Sequence, residues 1–267
     1  MSDYYRQVAK YYDIDAQSFE SRYWENEILQ KIRQEFREQL YWCDFENALE
    51  IGFGTGLDIV HFAKAYPERK IFGIDVSREM FHHCNQKLQK ENITNAFIAI
   101  GTPEEIPEIF KNQKFELIYV FFGALNTTRD LQQVSIQFHK LLSNNGRLVL
   151  TFVNKWYLAE IVIQSLKLNF RKAFSRFKHT WGGYSNEKFL ESRCYSPLEI
   201  RKNFGKEFEL VTKHGYSILY PAWYRNRWVS TMGRRLANFL WNADRFVNRT
   251  FCWKFGEYFL YSLRKRS

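Results

Sequence analysis

The chain has 267 residues, of which 45% are hydrophobic, 18% aromatic and 25% charged. This composition is ordinary for a globular protein and argues against a disordered or fibrous chain, and the length suits one sizeable α/β domain with insertions. The N-terminus lacks an apolar signal segment and no apolar run approaches the roughly 18 to 20 residues of a membrane span, so a cytoplasmic protein is expected.

Charge is distributed unevenly along the chain. Residues 1–154 hold 17 Lys and Arg against 21 Asp and Glu, whereas residues 155–267 hold 22 against 8, so the net charge of +10 belongs to the second part. This bias favours an anionic partner, such as an acidic substrate, a membrane surface or nucleic acid, although a merely solvated basic surface would look the same. The four cysteines are scattered without a CxxC pair, which indicates neither a disulfide framework nor a zinc knuckle.

The predicted elements alternate between helix and strand. An amphipathic helix is predicted over about 15–40, where apolar residues recur every four positions. Strands are predicted at 46–54, 70–76, 95–101, 115–123, 146–154, 208–219 and 256–265, with helices at 55–66, 77–93 (N-cap Ser77) and 127–146 (ended by Asn144-Asn145-Gly146). Looser helical, basic and aromatic stretches cover 155–194 and 221–255. This alternation predicts a parallel sheet covered on both faces.

A glycine-rich loop is the motif that carries chemistry. Glu50, Gly52, Gly54 and Gly56 stand in the pattern E-x-G-x-G-x-G where the first strand runs into a helix, the context that a nucleotide-type ligand requires. Glycines permit the unusual turn and let a ligand approach the backbone, and free N–H groups at the helix start face that ligand. Asp75 follows at the tip of the second strand, where a carboxylate can accept two hydrogen bonds from a ribose diol.

The spacing of this loop separates two classes of cofactor. A nicotinamide or flavin fingerprint, G-x-G-x-x-G, would require glycine at position 57, and Leu57 stands there. The loop instead resembles the first motif of class I, Rossmann-like S-adenosylmethionine-dependent methyltransferases, and the segment 72–80 (FGIDVSREM) resembles the sequence that follows it in that family. The resemblance covers roughly residues 8–154, with weaker support from the last two strands.

This resemblance implies an S-adenosyl-L-methionine-dependent methyltransferase of the α/β class. The expected fold is a doubly wound, mostly parallel seven-stranded sheet with helices on both faces, an N-terminal helical lid, and helical insertions after strand 5 and between strands 6 and 7. Residues 1–267 would form a single domain. Its cofactor-binding half would span about 1–154, and about 155–267 would supply acceptor-covering insertions and the last two strands.

The resemblance also implies which residues bind the cofactor. Glu50 would orient the loop or meet the methionine ammonium, the glycines would let the methionine moiety pass, and Asp75 would hold the ribose hydroxyls. Thr102 stands where the family usually has an acid near adenine. Tyr12 would belong to the lid, or else pack as a helix-start aromatic. The predicted cofactor-binding residues are Tyr12, Glu50, Gly52, Gly54, Gly56, Asp75, Val76, Met80, Thr102, Pro103, Glu104 and Phe122.

Catalytic side chains are harder to predict. Methyl transfer depends mainly on alignment and on excluding water, so a general base is optional. Candidates by residue type alone are His139, His179, His214 and Tyr184. The sequence His82-His83-Cys84 predicts no metal site, because neighbouring helical residues point about 100° apart.

The acceptor is expected to be a small molecule, acidic or lipid-like. Aromatic residues are concentrated in the two insertions predicted to cap the strand ends: Trp156, Tyr157, Trp181, Tyr184, Tyr220, Trp223, Tyr224 and Trp228. The run FFGALN (121–126) differs from the Asn/Asp-Pro-Pro-Tyr-like run expected of nucleic-acid amino-methyltransferases and so disfavours nucleic acid. RNA or protein methylation and a catalytically inactive methyltransferase-like binding protein stay open. The basic amphipathic segment 221–255 would contact a membrane surface or simply pack on the domain.

Overall fold

The computed structural model describes residues 2–111, 113–183 and 189–266. Its helices are α1 (Asp3–Trp24), α2 (Glu27–Leu40), α3 (Leu57–Ala65), α4 (Arg78–Lys90), α5 (Ile106–Ile109), α6 (Leu131–Leu141), α7 (Leu158–Leu166), α8 (Phe170–Ala173), α9 (Pro197–Phe204), α10 (Asn226–Met232) and α11 (Arg234–Val247). Its strands are β1 (Asn47–Ile51), β2 (Lys70–Asp75), β3 (Ala96–Ile100), β4 (Phe115–Val120), β5 (Leu142–Val153), β6 (Phe208–Tyr216) and β7 (Tyr258–Lys265).

The seven strands form one sheet in the order β3-β2-β1-β4-β5-β7-β6. All neighbours pair in parallel except β7, which runs antiparallel to both β5 and β6. The chain order reverses between β1 and β4, so the carboxyl ends of these two strands flank a crevice of the kind in which open α/β sheets bind ligands. The predicted doubly wound, mostly parallel seven-stranded sheet is confirmed.

Helices cover both faces of the sheet because each presents one apolar stripe to it. On one face of the sheet, Ile32 and Phe36 of α2 are fully buried against the strands. On the other face, Phe138 of α6 is fully buried. The central strands are buried throughout, which explains why they read as nearly continuous apolar runs. The sheet therefore holds the ends of β1, β2 and β4 at fixed positions along one edge.

The N-terminal region forms two helices, so the prediction of a single helix over 15–40 was wrong. The first begins at Asp3 and the chain breaks after Trp24. Asn26 then caps α2, because its side-chain oxygen accepts hydrogen bonds from the backbone N–H groups of Ile28 (3.1 Å) and Leu29 (3.2 Å). This break lets α1 leave the face on which α2 packs and cross the crevice as the expected lid.

The end of the sixth helix also differs from the prediction. The helix ends at Leu141, and Asn144-Asn145-Gly146 lie inside β5, which begins at Leu142. The β4–β5 pairing shifts register between Phe115 and Leu117, and Asn145 takes a left-handed φ of +63° there. Asparagine tolerates this conformation, so the same residues that are typical of a helix end form an irregular strand start.

The two insertions fold as short helices, α7 and α8 after β5 and α10 and α11 between β6 and β7. None of the helices in the described part of the chain combines the length with the apolar character that crossing a bilayer demands. Ser77 caps α4 as predicted, its hydroxyl accepting from the Met80 N–H at 3.1 Å.

Candidate functional site

The glycine loop between β1 and α3 is tied to the end of β2. The backbone N–H of Gly54 donates to Asp75 Oδ2 at 2.8 Å, and the other carboxylate oxygen accepts from the Ser77 N–H at 2.9 Å. Parallel pairing of β1 with β2 sets this distance, since both strands end at the same edge of the sheet. The loop and the carboxylate therefore form one wall of the crevice.

The carboxylate of Asp75 is nearly buried, which governs its protonation. Burial raises the pKa of Asp75 to about 6, and the hydrogen bonds from the Ser77 and Gly54 N–H groups partly oppose that rise. A carboxylate has about four acceptor positions in all, so the N–H groups of Gly54, Ser77 and Val76 leave room for a ligand donor. An ionised Asp75 can thus accept a hydrogen bond from a ligand hydroxyl group while still holding the loop.

A cavity opens above this wall, and we call it the loop cavity. Eight of the twelve residues predicted to bind the cofactor line it: Tyr12, Gly52, Gly54, Asp75, Val76, Met80, Pro103 and Phe122. The loop, the ends of β2 and β4, and α1 all contribute to its wall. The topology thus brings together residues that lie up to 110 positions apart in the chain.

Glu50 and Gly56 lie outside the lining of the loop cavity. Glu50 is buried beneath the loop and accepts a hydrogen bond from the Tyr119 hydroxyl at 3.0 Å. Burial and the neighbouring carboxylate of Asp58 raise the pKa of Glu50 well above its ordinary value. A Cβ on Gly56 (φ +84°) would overlap the Sγ atom of Cys84 and lie 3.1 Å from its Cβ. Both residues therefore support the loop from its protein side.

Thr102 and Glu104, at the end of β3, are also absent from the cavity lining. The Thr102 N–H donates to Glu105 Oε2 at 2.8 Å, which caps the helical turn that follows β3. Glu104 Oε1 accepts from the Tyr5 hydroxyl of α1 at 3.2 Å. These contacts shape the cavity rim and join it to the lid.

Helix α1 crosses the loop cavity and is fastened on both sides of it. Asp13 accepts a 2.6 Å hydrogen bond from the Ser77 hydroxyl at the start of α4. Glu20 accepts a 2.7 Å hydrogen bond from the Thr55 hydroxyl in the glycine loop. Between them Tyr12 faces Asp75, and burial raises the pKa of its phenol well above the ordinary value. The lid is therefore held by polar contacts at its rim and by apolar packing over the cavity.

A second cavity of about 300 Å³, which we call the aromatic cavity, adjoins the loop cavity. The two share a wall made of Tyr12, Phe19, Phe122 and Thr127. Phe122 has a φ of +52°, an uncommon conformation for a non-glycine residue, directly after β4. This backbone conformation directs the Phe122 ring into the shared wall, so a molecule in either cavity would contact the ring.

Two arginines stand on the wall of the aromatic cavity. The guanidinium of Arg33 lies between the rings of Tyr23 (4.9 Å) and Phe122 (4.4 Å) and pairs with the buried carboxylate of Asp58. Arg22 forms a two-pronged pair with Asp15, at 2.8 and 2.6 Å. Both cations come from α1 and α2, whereas the excess of positive charge in the sequence lies in residues 155–267.

The insertions contribute fewer aromatic residues than predicted. Of the eight expected, Trp181 and Trp223 line the aromatic cavity. Tyr184 lies outside the described residues. The remaining five are absent from the lining of both cavities: Trp156, Tyr157, Tyr220, Tyr224 and Trp228.

The histidines proposed as bases, His139, His179 and His214, are absent from the lining of both cavities. His139 Nε2 instead lies 3.1 Å from the Arg266 carbonyl oxygen, beyond the end of β7. Among the residues that the structure describes, no group of three His, Cys, Asp or Glu side chains is placed to hold a metal ion.

Several lining residues were missed because they belong to the N-terminal helices. Val8, Tyr12, Asp15, Phe19 and Arg22 line one or the other cavity and follow each other three or four positions apart. Spacing of this kind marks a single face of a helix. The signal was available, but it becomes informative only when the helix is known to begin at Asp3 and to cross the crevice.

Comparison with known proteins agrees with the fold and with a methyltransferase domain. A family model described as a methyltransferase domain matches residues 44–208. An uncharacterized protein of Methanocaldococcus jannaschii is 27% identical over 99% of this chain and 90% of its own length. A tRNA (guanine-N(7)-)-methyltransferase of Oceanobacillus iheyensis is 28% identical over 40% of this chain and 54% of its own length.

Among solved structures, magnesium protoporphyrin IX methyltransferase of Synechocystis with bound S-adenosylhomocysteine superposes with a TM-score of 0.60. The two chains are 14% identical, and the superposition covers 97% of this chain and 98% of that one. Likeness at this identity concerns the fold, and it extends over both insertions as well as the sheet.

Proposed function

The chain belongs to the methyltransferase-domain family and is an S-adenosylmethionine-dependent methyltransferase; we propose that its acceptor is a small, largely apolar molecule. The observation that carries this proposal is the wall shared by the loop cavity and the aromatic cavity. A cofactor in the loop cavity and an acceptor in the aromatic cavity would lie side by side, so the methyl group and the accepting atom could meet where the two cavities adjoin, as group transfer requires.

The loop cavity suits the cofactor because of the chemistry of its lining. A Cβ on Gly54 would meet only the ring of Phe19, at 3.8 Å, so the glycine leaves space on the cavity side of the loop. Asp75 would hold the ribose hydroxyls, and Val76, Met80 and Pro103 offer an apolar surface for the adenine ring. When bound, the cofactor supplies a methyl group activated on a sulfonium. The residues of the lid would exclude water from it.

The aromatic cavity suits an apolar acceptor with at least one flat part. Trp181, Trp223 and Phe122 offer ring faces, and Leu29 and Val153 add aliphatic surface. Arg22 and Arg33 each already pair with a carboxylate of the protein, so an acidic group on the acceptor would share a guanidinium with Asp15 or Asp58. The lining therefore favours an apolar acceptor over a strongly acidic one.

Asp15 is the one carboxylate on the described part of that lining. Two hydrogen bonds from Arg22 hold it in place, so it is positioned to take a proton from an acceptor that must lose one. The lid itself would then supply the base, in place of the histidines considered earlier. An acceptor that is already nucleophilic would need only the alignment.

A lipid-like acceptor agrees with the surface of the segment 221–255. Its helix α11 leaves Phe239 and Phe246 exposed, and the acidic residue in the segment, Asp244, is buried. Contact with a membrane surface through this segment is part of the proposal. So is a cytoplasmic location, which agrees with the four unpaired thiols, three of them buried.

Calorimetry with S-adenosylmethionine and S-adenosylhomocysteine tests the cofactor site. We expect binding by the wild type, loss of binding in Asp75→Ala, and unchanged binding in Glu68→Ala, a matched loss of an exposed carboxylate in the loop before β2. Circular dichroism confirms that each variant is folded. If the folded wild type binds neither nucleoside, the chain is a methyltransferase-like binding protein and the proposal fails.

Release of S-adenosylhomocysteine on addition of candidate acceptors tests the acceptor class. We expect turnover with an apolar metabolite or lipid extract, and a large loss in Phe122→Ala. Turnover with total tRNA but with neither extract would assign the acceptor to RNA instead, in line with the relatives that match part of the chain.

A further inference from the structure

The first insertion carries a surface that the proposed function leaves unexplained. Six exposed apolar side chains follow one another in α7, in α8, in the turn between them and directly after α8: Leu158, Val162, Leu166, Leu168, Phe170 and Phe174. Leu166 and Leu168 are 80% and 78% exposed. A contiguous group of this kind marks an interaction site on a folded protein. We call it the 158–178 face.

Helix α7 has the reverse polarity of an ordinary surface helix. Its exposed stripe, Leu158, Val162 and Leu166, repeats every four residues, whereas the side that faces the protein buries the polar residues Glu160 and Gln164. Gln164 Nε2 donates to Glu160 Oε1 at 2.9 Å, which satisfies both side chains in the interior. A helix that buries its carboxylate and exposes its leucines presents an apolar surface that can pack against another apolar medium.

Glu160 also anchors α7 to the second insertion. Its other oxygen accepts from the Tyr224 hydroxyl at 2.7 Å and pairs with Arg225. Arg225 lies over the ring of Trp228, 4.8 Å from its centroid, and Trp228 is half exposed. The 158–178 face is therefore held rigidly beside the start of α10.

The exposed charges within the segment that forms this face have one sign. Lys167, Arg171, Lys172 and Lys178 are all exposed, and the sequence contains no Asp or Glu from 161 to 186. An isologous contact between two copies would bring these four cations against the same four on the partner, which opposes self-association. An anionic lipid surface offers both an apolar interior for the leucines and phenylalanines and phosphates for the cations.

We propose that the 158–178 face docks the protein on an anionic lipid bilayer. The aromatic cavity lies close behind this face, because Arg176 stacks at 5.0 Å on Trp181 of the cavity wall and Trp223 directly precedes the Tyr224 that binds Glu160. Docking would bring the cavity to the membrane surface, where an apolar acceptor concentrates. This last step rests on the proposed function, whereas the docking itself does not.

Vesicle flotation of the full chain tests the docking. We expect binding to vesicles of phosphatidylcholine with about 30% phosphatidylserine, weak binding to pure phosphatidylcholine, and loss of binding as salt is raised. The double variant Leu166→Ser/Phe170→Ser should lower the bound fraction at least about tenfold, because two apolar side chains that would insert into the bilayer are lost. Trp42→Ser, which removes an equally exposed aromatic residue on another surface, should bind like the wild type.

Three results would overturn the proposal. The first is a wild type that does not bind anionic vesicles at low salt, and the second is a double variant that binds them like the wild type. The third is a dimer in solution that Leu166→Ser/Phe170→Ser dissociates. Calorimetry with S-adenosylmethionine separates this inference from the proposed methyl transfer. Normal cofactor binding without vesicle binding refutes the docking, together with the membrane contact proposed for 221–255, but leaves methyl transfer intact. Vesicle binding without cofactor binding refutes methyl transfer but not the docking.

Discussion

Two glycines of one loop are expected to respond differently to the same substitution, one mainly in stability and the other mainly in cofactor binding. Gly54 and Gly56 both have left-handed backbones, with φ of +57° and +84°. Alanine in this conformation costs about 1–2 kcal/mol of folding free energy at either position. At Gly54 nothing else opposes the new methyl group, since its nearest neighbour is the Phe19 ring at 3.8 Å. At Gly56 the methyl group meets Cys84 of α4.

Overpacking at Gly56 adds to the backbone cost. A forced methyl group in a close-packed interior costs about 1–3 kcal/mol, so Gly56→Ala should lower the free energy of unfolding by about 2–5 kcal/mol. Gly54→Ala should lower it by about 1–2 kcal/mol only. Its methyl group instead fills cofactor space, and we expect cofactor affinity to fall at least about tenfold, equivalent to about 1.4 kcal/mol.

Urea unfolding and calorimetry with S-adenosylmethionine measure the two effects separately. A double-mutant cycle with Cys84→Ala isolates the clash, because removing Sγ should restore about 1–2 kcal/mol to Gly56→Ala but nothing to Gly54→Ala. If the two glycine variants lose equal stability, or if Gly56→Ala weakens binding without unfolding the protein, the assignment of Gly56 to packing and of Gly54 to binding is wrong.

Two further predictions concern buried carboxylates. The pKa of Asp75 is raised to about 6, so protonation at lower pH removes an acceptor for the ribose. Affinity for S-adenosylmethionine should therefore fall by up to about tenfold per pH unit below about pH 6. A calorimetric affinity that does not change with pH would contradict the ribose role. Asp244 accepts N–H groups of Ser217 (3.2 Å), Leu219 (2.6 Å) and Tyr220 (3.0 Å). Asp244→Ala should therefore cost about 2–4 kcal/mol in urea unfolding, against about 0.5 kcal/mol or less for exposed Asn242→Ala; equal losses would refute this.

Much of the fold was predictable because it depends on local patterns. The alternation of apolar runs with amphipathic segments predicted every strand, and Ser77 was recognised as a cap from its position alone. The spacing of Gly52, Gly54 and Asp75 predicted a cofactor wall, since parallel strands end at one edge of the sheet. These inferences need only residues that are close in sequence or that share a strand direction.

Some contacts of the predicted site depend on residues that are distant in the sequence. Gly56, predicted to bind the cofactor, has Cys84 on its protein side, and Glu50, predicted to orient the loop or meet the methionine ammonium, accepts a hydrogen bond from the Tyr119 hydroxyl. Nothing local to either residue shows its neighbour. The break before α2 was missed for a different reason, because an asparagine within a charged helical stretch indicates a cap only weakly.

The sequence by itself determined the class of the fold, the glycine loop and the carboxylate opposite it, because periodicity and strand polarity act over short stretches of chain. Only the tertiary structure decided which side of each helix meets protein. In the folded protein Glu160 faces inward and Leu166 faces outward, and Arg33 of α2 lies on the wall of the aromatic cavity. The physical reason is that burial is a property of the assembled molecule, so a buried carboxylate becomes favourable only when partners such as Tyr224 arrive from elsewhere in the chain.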